Sequence, residues 1–430
     1  MKLCKPANEN YAAVVVQIKN LIPLDNCDNV QHASIFGNLV VVGNDVRVGD
    51  QGIFFPVECQ LSSAFLSANN LYRKHEKNED LTKKGYFEDN GRIRCVKFRG
   101  NKSEGLFMPL ECLDFVGCTS VLPVGSVFDN LLNTEICCKY VVKQRNTHGT
   151  QRTKKKENKF SKIIDSQFRF HSDTAQLGRN LHRLNYSTRI TISQKYHGTS
   201  VVISKVLCRR KLSILERVAK LFGANVQESV YDDVYSSRKV IKNQYADKKK
   251  DSYYKEDIWG LAYNQVKEHL TDGISLYGEI VGYLPSGSMI QKGYDYGCEV
   301  GEFRFIVYRI SYTANDGKVF EFSSHQMSDW CYERGIEYVR PVYSGDIYDC
   351  VENAERNHDF VSIVKSMPHM EELDPSCKND VPFEGYVVRI EGPSFEAYKV
   401  KATAFLERET KNLDSGEEDI EEQTTERKEQ

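Results

Sequence analysis

No stretch of this chain is both long and apolar: nowhere do the roughly 18 consecutive apolar residues of a membrane span occur. Met1-Lys2-Leu3-Cys4-Lys5-Pro6 has no apolar core behind its charges, so a secretory leader is not expected. The thirteen cysteines are scattered and form no C-x-x-C pair, which disfavours both a zinc ribbon and a disulfide scaffold. A reducing, cytoplasmic setting is the expectation. Charge of one sign is missing too. Lys and Arg number 58 against 60 Asp and Glu, a net charge of −2, which excludes a uniformly basic coat but leaves local basic patches open. No internal repeat is visible. What is present is 430 residues, 40% of them hydrophobic, enough for real cores in two to three domains.

Residues 1–142 read as mostly β. Tyr11–Lys19, Ser34–Val42, Gly52–Val57, Ile93–Phe98 and Leu106–Leu110 are short, rich in Val, Ile and Phe, and bounded by turn residues such as Gly43-Asn44-Asp45. With one helix-like stretch, Leu61–Asn69, this suits a small closed barrel of the OB type, an unspecified barrel or sandwich being the alternative. Residues 143–162 carry a net charge of +7 with few apolar side chains. They read as a basic linker, either merely solubilising or a flexible arm that grips phosphates. From 163 to 405 strand-like runs alternate with helical ones, as in an α+β domain. Arg189–Ser193, Thr199–Ser204, Ile274–Gly282, Phe303–Tyr312, Gly385–Glu391 and Ala397–Lys401 are expected strands; Lys211–Phe222 and Glu256–Leu270 are expected helices. The last residues, 406–430, are acidic, lack a core and are expected to be disordered.

The segment Ser193-Gln194-Lys195-Tyr196-His197-Gly198-Thr199-Ser200 sets a lysine between two β-rich runs. Desolvating an ammonium is costly, and burial or nearby cations lower a lysine's pKa until the neutral amine becomes a nucleophile. Gly198 would let the backbone turn closely around a ligand. Glu279 lies inside the apolar run Ile274–Gly282, Glu384 precedes Gly385-Tyr386-Val387-Val388, and Lys399 and Lys401 share one face of a strand by its period of two. Each feature alone fits a solvated strand face. Together they suit chemistry on a phosphate ester, with carboxylates holding Mg²⁺ or Mn²⁺ and lysines neutralising phosphate.

In their order these segments resemble the covalent nucleotidyltransferase superfamily of ATP-dependent RNA and DNA ligases and mRNA capping enzymes. Lys195–Gly198 is similar to motif I, Arg238 in Tyr235-Ser236-Ser237-Arg238-Lys239 to motif Ia, and Glu279 to motif III. Phe305–Ile310 resembles motif IIIa, Glu384-Gly385 motif IV and Lys399-Val400-Lys401 motif V. His197, where DNA ligases and capping enzymes usually have Asp, is similar to nick-sealing phage and trypanosome editing RNA ligases. Gly49-Asp50, Phe54-Phe55-Pro56, Leu61-Ser62, Arg99-Gly100 and Ser103-Glu104-Gly105-Leu106 resemble the amino-terminal OB domain of the Deinococcus- and Naegleria-type RNA ligases. Some 30 residues follow motif V, too few for the carboxy-terminal OB module of DNA ligases and capping enzymes.

The resemblance implies an α+β protein: an OB-type barrel over 1–142, the basic linker over 143–162, an antiparallel-sheet nucleotidyltransferase domain over 163–405 and the acidic tail over 406–430. It implies an ATP-dependent RNA ligase acting on nicked duplexes or RNA ends, as a monomer without a membrane. Alternatives are a DNA ligase or GTP-using capping enzyme, and a non-catalytic RNA-binding relative. Lys195 would attack ATP and hold AMP as a phosphoramidate. Glu279 and Glu384 would organise Mg²⁺ or Mn²⁺, and Lys399 and Lys401 would bind the α-phosphate and help depress the Lys195 pKa. Arg238 would touch ribose or the acceptor strand, and Gln194 would accept from the adenine amino group. Tyr308, with Phe305 as the competing choice, would lie under adenine, Gly198 would approach the nucleotide, and His197 would serve a late step. Ile290–Gly297 reads as a substrate-facing loop or an ordinary turn; Arg209–Asp233 as a nucleic-acid contact or a helix packed on the surface.

Overall fold

The computed structural model describes residues 3–24, 27–117, 122–142, 162–245, 256–352 and 360–416. Apart from Lys162, the expected basic linker lies outside them. Among the described residues no helix is long and apolar enough to cross a membrane.

Alternating side chains build the amino-terminal barrel. Ala13–Gln17 and Gln51–Pro56 form the middle of an antiparallel sheet edged by Val127–Phe128 and Gly105–Pro109. Because successive side chains point to opposite faces, these strands feed two cores. Val15, Ile53 and Phe55 join Phe65 and Leu66 on one side, while Val14, Val16 and Phe54 join Ala33, Ile35 and Val40 on the other. The helix Ser63–Ala68 starts where Ser62 accepts the Phe65 N–H, a normal N-cap. The single strand expected over Ser34–Val42 is instead a hairpin, Val30–Ile35 with Asn38–Gly43. Phe36 and Gly37 both take positive φ (54° and 76°), the backbone of a tight hairpin turn. Gly37 also has no room for a Cβ, which would fall 2.2 Å from Val361 Cγ1 in the second half of the chain.

The rest of the chain is organised around two five-stranded sheets. One runs, in spatial order, Ala175–Gln176, Glu396–Lys401, Gly385–Ile390, Arg189–Gln194, Pro341–Asp346; the other Ser229–Ser237, Thr199–Arg209, Ile274–Gly282, Phe303–Thr313, Val319–Glu321. Every pairing is antiparallel except the short contact of Ala175–Gln176 with Glu396–Lys401. One apolar core joins the two sheets, with Ile192, Val201, Ile203, Leu276, Ile280, Ile306 and Val388 fully buried in it. The chain crosses between the sheets at Lys195–Gly198, so the segment most informative in the sequence is a loop bridging two layers.

Two helices differ from expectation. The expected surface helix within Arg209–Asp233 is Ile214–Leu221, with a Ser213–Glu216 capping box. It buries nothing: Leu215 is 81% and Phe222 87% exposed. At the other end of the chain, residues expected to begin a disordered tail at 406 continue a helix, Thr403–Asp414. Its three carboxylates all have partners: Glu407 pairs with Lys97, Glu409 with Lys401 and Asp414 with Arg92. Phe405 and Thr410 are buried. Positions 403, 407, 410 and 414 recur at helical spacing and face the barrel, where Glu104 accepts from Thr403 Oγ1 at 2.6 Å. Residues 417–430 lie outside the described segments.

Candidate active site

Strand register assembles the site. Ser193 pairs with Val387 and Val387 with Lys399; two residues on, Lys195 N–H donates to Gly385 O at 2.8 Å and Gly385 pairs with Lys401. Lys195 and Lys401 therefore share one cross-strand row, two strand spacings apart, with Lys399 in the next row on the same face. In the facing sheet Ser200 pairs with Glu279, which brings that carboxylate to the base of the motif I loop. Gln194, Lys195, His197, Gly198, Arg238, Glu279, Tyr308, Glu384, Lys399 and Lys401 all line one cleft of about 1050 Å³. Barrel residues Asn10, Tyr11, Glu58 and Lys139 and helix residues Phe405, Arg408 and Glu409 close its other walls.

Lys195 Nζ lies 2.8 Å from Glu384 Oε1, whose side chain is only 2% exposed. Burial works against the Lys195 charge, but the Glu384 and Glu279 carboxylates outweigh it and hold the ammonium above the usual lysine range. Lys401 does lower Lys195, as expected, but the buried carboxylate in contact with it outweighs that cation and the net displacement is upward. The depressed lysine is Lys399. Burial, then Lys401 and Lys195, bring it down to about 7.

Glu279 Oε1 accepts the Gly198 N–H at 3.1 Å, and its Oε2 accepts from Ser200 Oγ at 3.2 Å. Gly198 is forced: a Cβ there would fall 2.2 Å from Ile280 O and 2.9 Å from Glu279 Cγ. Trp259 Nε1 donates to Ser200 O and ties the helix Ile258–Val266 behind this strand. His197 donates its backbone N–H to Tyr296 Oη at 2.7 Å, and its ring stands edge-on to Tyr294 and Phe405, at 4.9 and 5.1 Å between centroids. The loop Ile290–Gly297 lines the cleft through Ile290, Gln291, Lys292 and Tyr294. Tyr294 and Tyr296 are buried in it, and Gln291 Nε2 donates to Gly198 O at 2.8 Å, so it buttresses motif I.

Arg238 is held by Asp173, which accepts from its Nε at 3.0 Å. Lys401 is held by Glu409 at 2.6 Å and lies 5.1 Å from the Phe405 ring centre. Between the two aromatic choices, Tyr308 lines the cleft and meets His171 Nδ1 at 2.8 Å, whereas Phe305 is buried beneath Gly278. Burial, with Arg238 next, pushes the His171 imidazole down to about 3, so it is neutral at ordinary pH.

The donor set suits a hard divalent cation. Glu384 Oε2 is buried without a hydrogen-bond partner, and Glu279 shares its cleft. Among the described residues no group of three or more His, Cys, Asp or Glu could hold a metal, so two carboxylates with water completing the shell is the arrangement these side chains can offer.

Sequence reasoning missed His171, Asp173, Asp374, Phe405 and Glu409. The first four are placed by contacts across long sequence separations, and Glu409 by a contact with Lys401 eight residues back; none carries a local pattern. Only the i, i+4, i+7 run of polar residues from Thr403 could have flagged the last helix.

A family model described as RNA ligase matches residues 188–403, and an OB-fold domain model matches residues 12–110. No significant match is found among curated protein sequences. Solved structures of Naegleria gruberi RNA ligase variants share the fold. One, with ATP and Mn, is 13% identical at TM-score 0.56 and covers 94% of this chain and 100% of its own. A variant without ligand is 14% identical at TM-score 0.58, covering 95% and 100%. A third, with AMP and Mn, is 13% identical at TM-score 0.57, covering 92% and 98%. These likenesses bear out the α+β fold, an amino-terminal OB barrel ahead of an antiparallel-sheet domain. With the first model spanning just over half of its length, the chain belongs to the RNA ligase family.

Proposed function

We propose that this chain is an ATP-dependent RNA ligase that joins a 3′-hydroxyl to a 5′-phosphate, with nick sealing in RNA repair as its task. The observation that carries the reading is the Lys195–Glu384 contact inside a cleft that also holds Glu279, Lys399 and Lys401. The Lys195 amine would attack the α-phosphorus of ATP. The bond to pyrophosphate breaks, and AMP stays on Nζ through a phosphorus–nitrogen bond. An RNA 5′-phosphate oxygen then takes the AMP and frees Lys195, and the 3′-hydroxyl attacks that activated phosphate and expels AMP.

Lys195 reacts only as the free amine, so its proton must go before the first step. A divalent cation held by Glu384 and Glu279 would supply charge neutralisation at the α-phosphate and occupy the carboxylate that keeps Lys195 charged. Lys399 and Lys401 would hold the α-phosphate. Lys399, poised near neutrality, would take its charge fully when the phosphate arrives. Gln194 and Tyr308 would meet the adenine, Gly198 would let the nucleotide approach, and Arg238 would touch ribose or the acceptor strand. His197, boxed by aromatics, would act after lysine adenylylation. The barrel would hold the RNA beside the cleft it helps to wall. We place the enzyme in the cytoplasm as a monomer, with the barrel over 1–142, the transferase domain over 163–405 and a basic linker between them.

Intact-mass analysis after pyrophosphatase treatment and incubation with ATP and Mn²⁺ tests the reading: one added adenylate on Lys195, followed by sealing of a nicked duplex with RNA at the break. Label taken up from GTP alone would refute it, as would an adenylate mapped to another side chain.

A further inference from the structure

Gln194 sits directly before the nucleophile and lines the cleft, and its side-chain amide is not free to turn. Its Nε2 donates to Asp374 Oδ2 at 3.0 Å. Asp374 is buried, only 2% exposed, and lies ten residues before Glu384, on a segment fixed by Asp374 N–H donating to Val381 O at 2.8 Å. Its other oxygen, Oδ1, accepts the Ser376 N–H at 2.9 Å. Both carboxylate oxygens of Asp374 are thus acceptors, one from Ser376 and one from Gln194. Gln194 must therefore turn its NH₂ toward Asp374, and its carbonyl oxygen takes the opposite end of the planar amide. Among the described residues that oxygen accepts no hydrogen bond from the protein.

We propose that Asp374 is a positioning residue that sets base selectivity: by taking the Gln194 amide N–H, it presents the Gln194 carbonyl oxygen to the nucleotide base. A carbonyl there accepts from the 6-amino group of adenine and opposes the 6-oxo group of a hypoxanthine or guanine base. The inference rests on the proposed reading that this cleft binds ATP with its base beside Gln194. It adds a residue that does not line the cleft, and a cause for the choice of base.

The argument forces the outcome of one isosteric change. In Asp374→Asn, the Asn oxygen must still accept the Ser376 N–H, which puts the Asn NH₂ where Oδ2 now faces Gln194. A donor there makes the Gln194 amide turn over and offer its own NH₂ to the base. The preferred nucleotide then shifts from 6-amino to 6-oxo. Selectivity that rests on matching a buried hydrogen-bond group is steep, so the shift should be large, about a hundredfold in the ratio of rates.

The test is nucleotidylylation of Lys195 in the full chain, read by intact mass, with ATP and inosine triphosphate, which differ at position 6 and the adjoining N1 proton. The wild type should prefer ATP, and Asp374→Asn should lower the ATP-to-ITP ratio of kcat/KM by about a hundredfold, mostly by raising the KM for ATP. In the Gln194→Met background the same Asp374→Asn change should leave the ratio unmoved, because no amide remains to turn. A purely structural role for Asp374 would slow both nucleotides alike and keep the ratio, overturning the inference, and the thermal midpoint of each variant reports folding separately. A wild type that takes ATP and ITP equally well also overturns it. A wild type that takes neither would defeat the ligase reading instead, so the two failures are distinguishable.

Discussion

Arg92 offers the sharpest test of how the barrel is joined to the catalytic half. Its side chain is fully buried. Nε and Nη2 grip the two oxygens of Glu58 at 2.8 and 2.7 Å, Nη1 reaches Asp414 at 2.9 Å, and Nη2 reaches Thr410 O at 3.3 Å. Glu58 belongs to the barrel, while Asp414 and Thr410 belong to the helix that also carries Glu409 and Phe405 into the cleft. Arg92→Met keeps the length and removes the charge. The Asp414 contact, 40% exposed, is worth little on its own. Glu58 is the costly part, since burial already pushes its carboxyl above the ordinary value of 4.5 despite Arg92. Losing one partner of a buried pair costs about 3–5 kcal/mol. Glu58 can escape by taking a proton, which from its ordinary value of 4.5 costs about 3.4 kcal/mol at pH 7 and about 0.7 at pH 5. The variant should therefore lose about 3 kcal/mol at pH 7 and about 1 kcal/mol or less at pH 5. Urea unfolding at the two pH values, compared through midpoints at a common slope, measures it. A loss under about 1 kcal/mol at pH 7, or one independent of pH, would refute the assignment of a buried clamp.

Other outcomes follow from the cleft. Lys195→Ala should abolish lysine adenylylation, while His197→Ala should keep part of it and lose strand joining more severely; equal loss in single-turnover assays of both steps would remove His197 from the late chemistry. Lys399 is charged in the folded protein only below about 7, against 10.5 as its ordinary value. Its lowered value means that the unfolded chain binds more protons between those limits, so this group makes stability rise with pH across that window. For the same reason affinity for a non-transferable ATP analogue, measured on protein that keeps Lys195, should weaken as pH rises from 7 to 9; Lys399→Arg, which stays charged, should flatten the profile, and an unchanged slope would count against Lys399 as a phosphate ligand. Gly198→Ala would drive a Cβ into the Ile280 carbonyl and should cost about 1–3 kcal/mol of stability along with adenylylation. A fully active, equally stable variant would show that the loop tolerates a wider approach.

How much could be read in advance divides along a physical line. Strands with a strict two-residue alternation or a continuous apolar run declared themselves: Ile274–Gly282 lies where the pattern put it, and Arg189–Gln194 and Glu396–Lys401 differ from expectation by one residue at an end. The charged residues at their edges stood out because a carboxylate or ammonium within such a run is costly unless it has a task. The sequence alone thus marked six of the ten strands in the two sheets, the candidate nucleophile and the set of charges around it, since each is a local departure from a local pattern; the short edge strands Ala175–Gln176, Val319–Glu321 and Pro341–Asp346, and Ser229–Ser237, were not legible there. Pairings between distant segments were decided only by the tertiary structure. Glu384 holds Lys195 charged, Glu409 takes Lys401 and Asp374 turns Gln194, all through register and packing that join residues from 8 to 189 positions apart. The hairpin at Phe36-Gly37 and the helix Thr403–Asp414 were likewise settled there. Both have weak local signals that are overruled by contact with the other half of the chain, and a pKa follows the sum of neighbours in space, which no linear pattern contains.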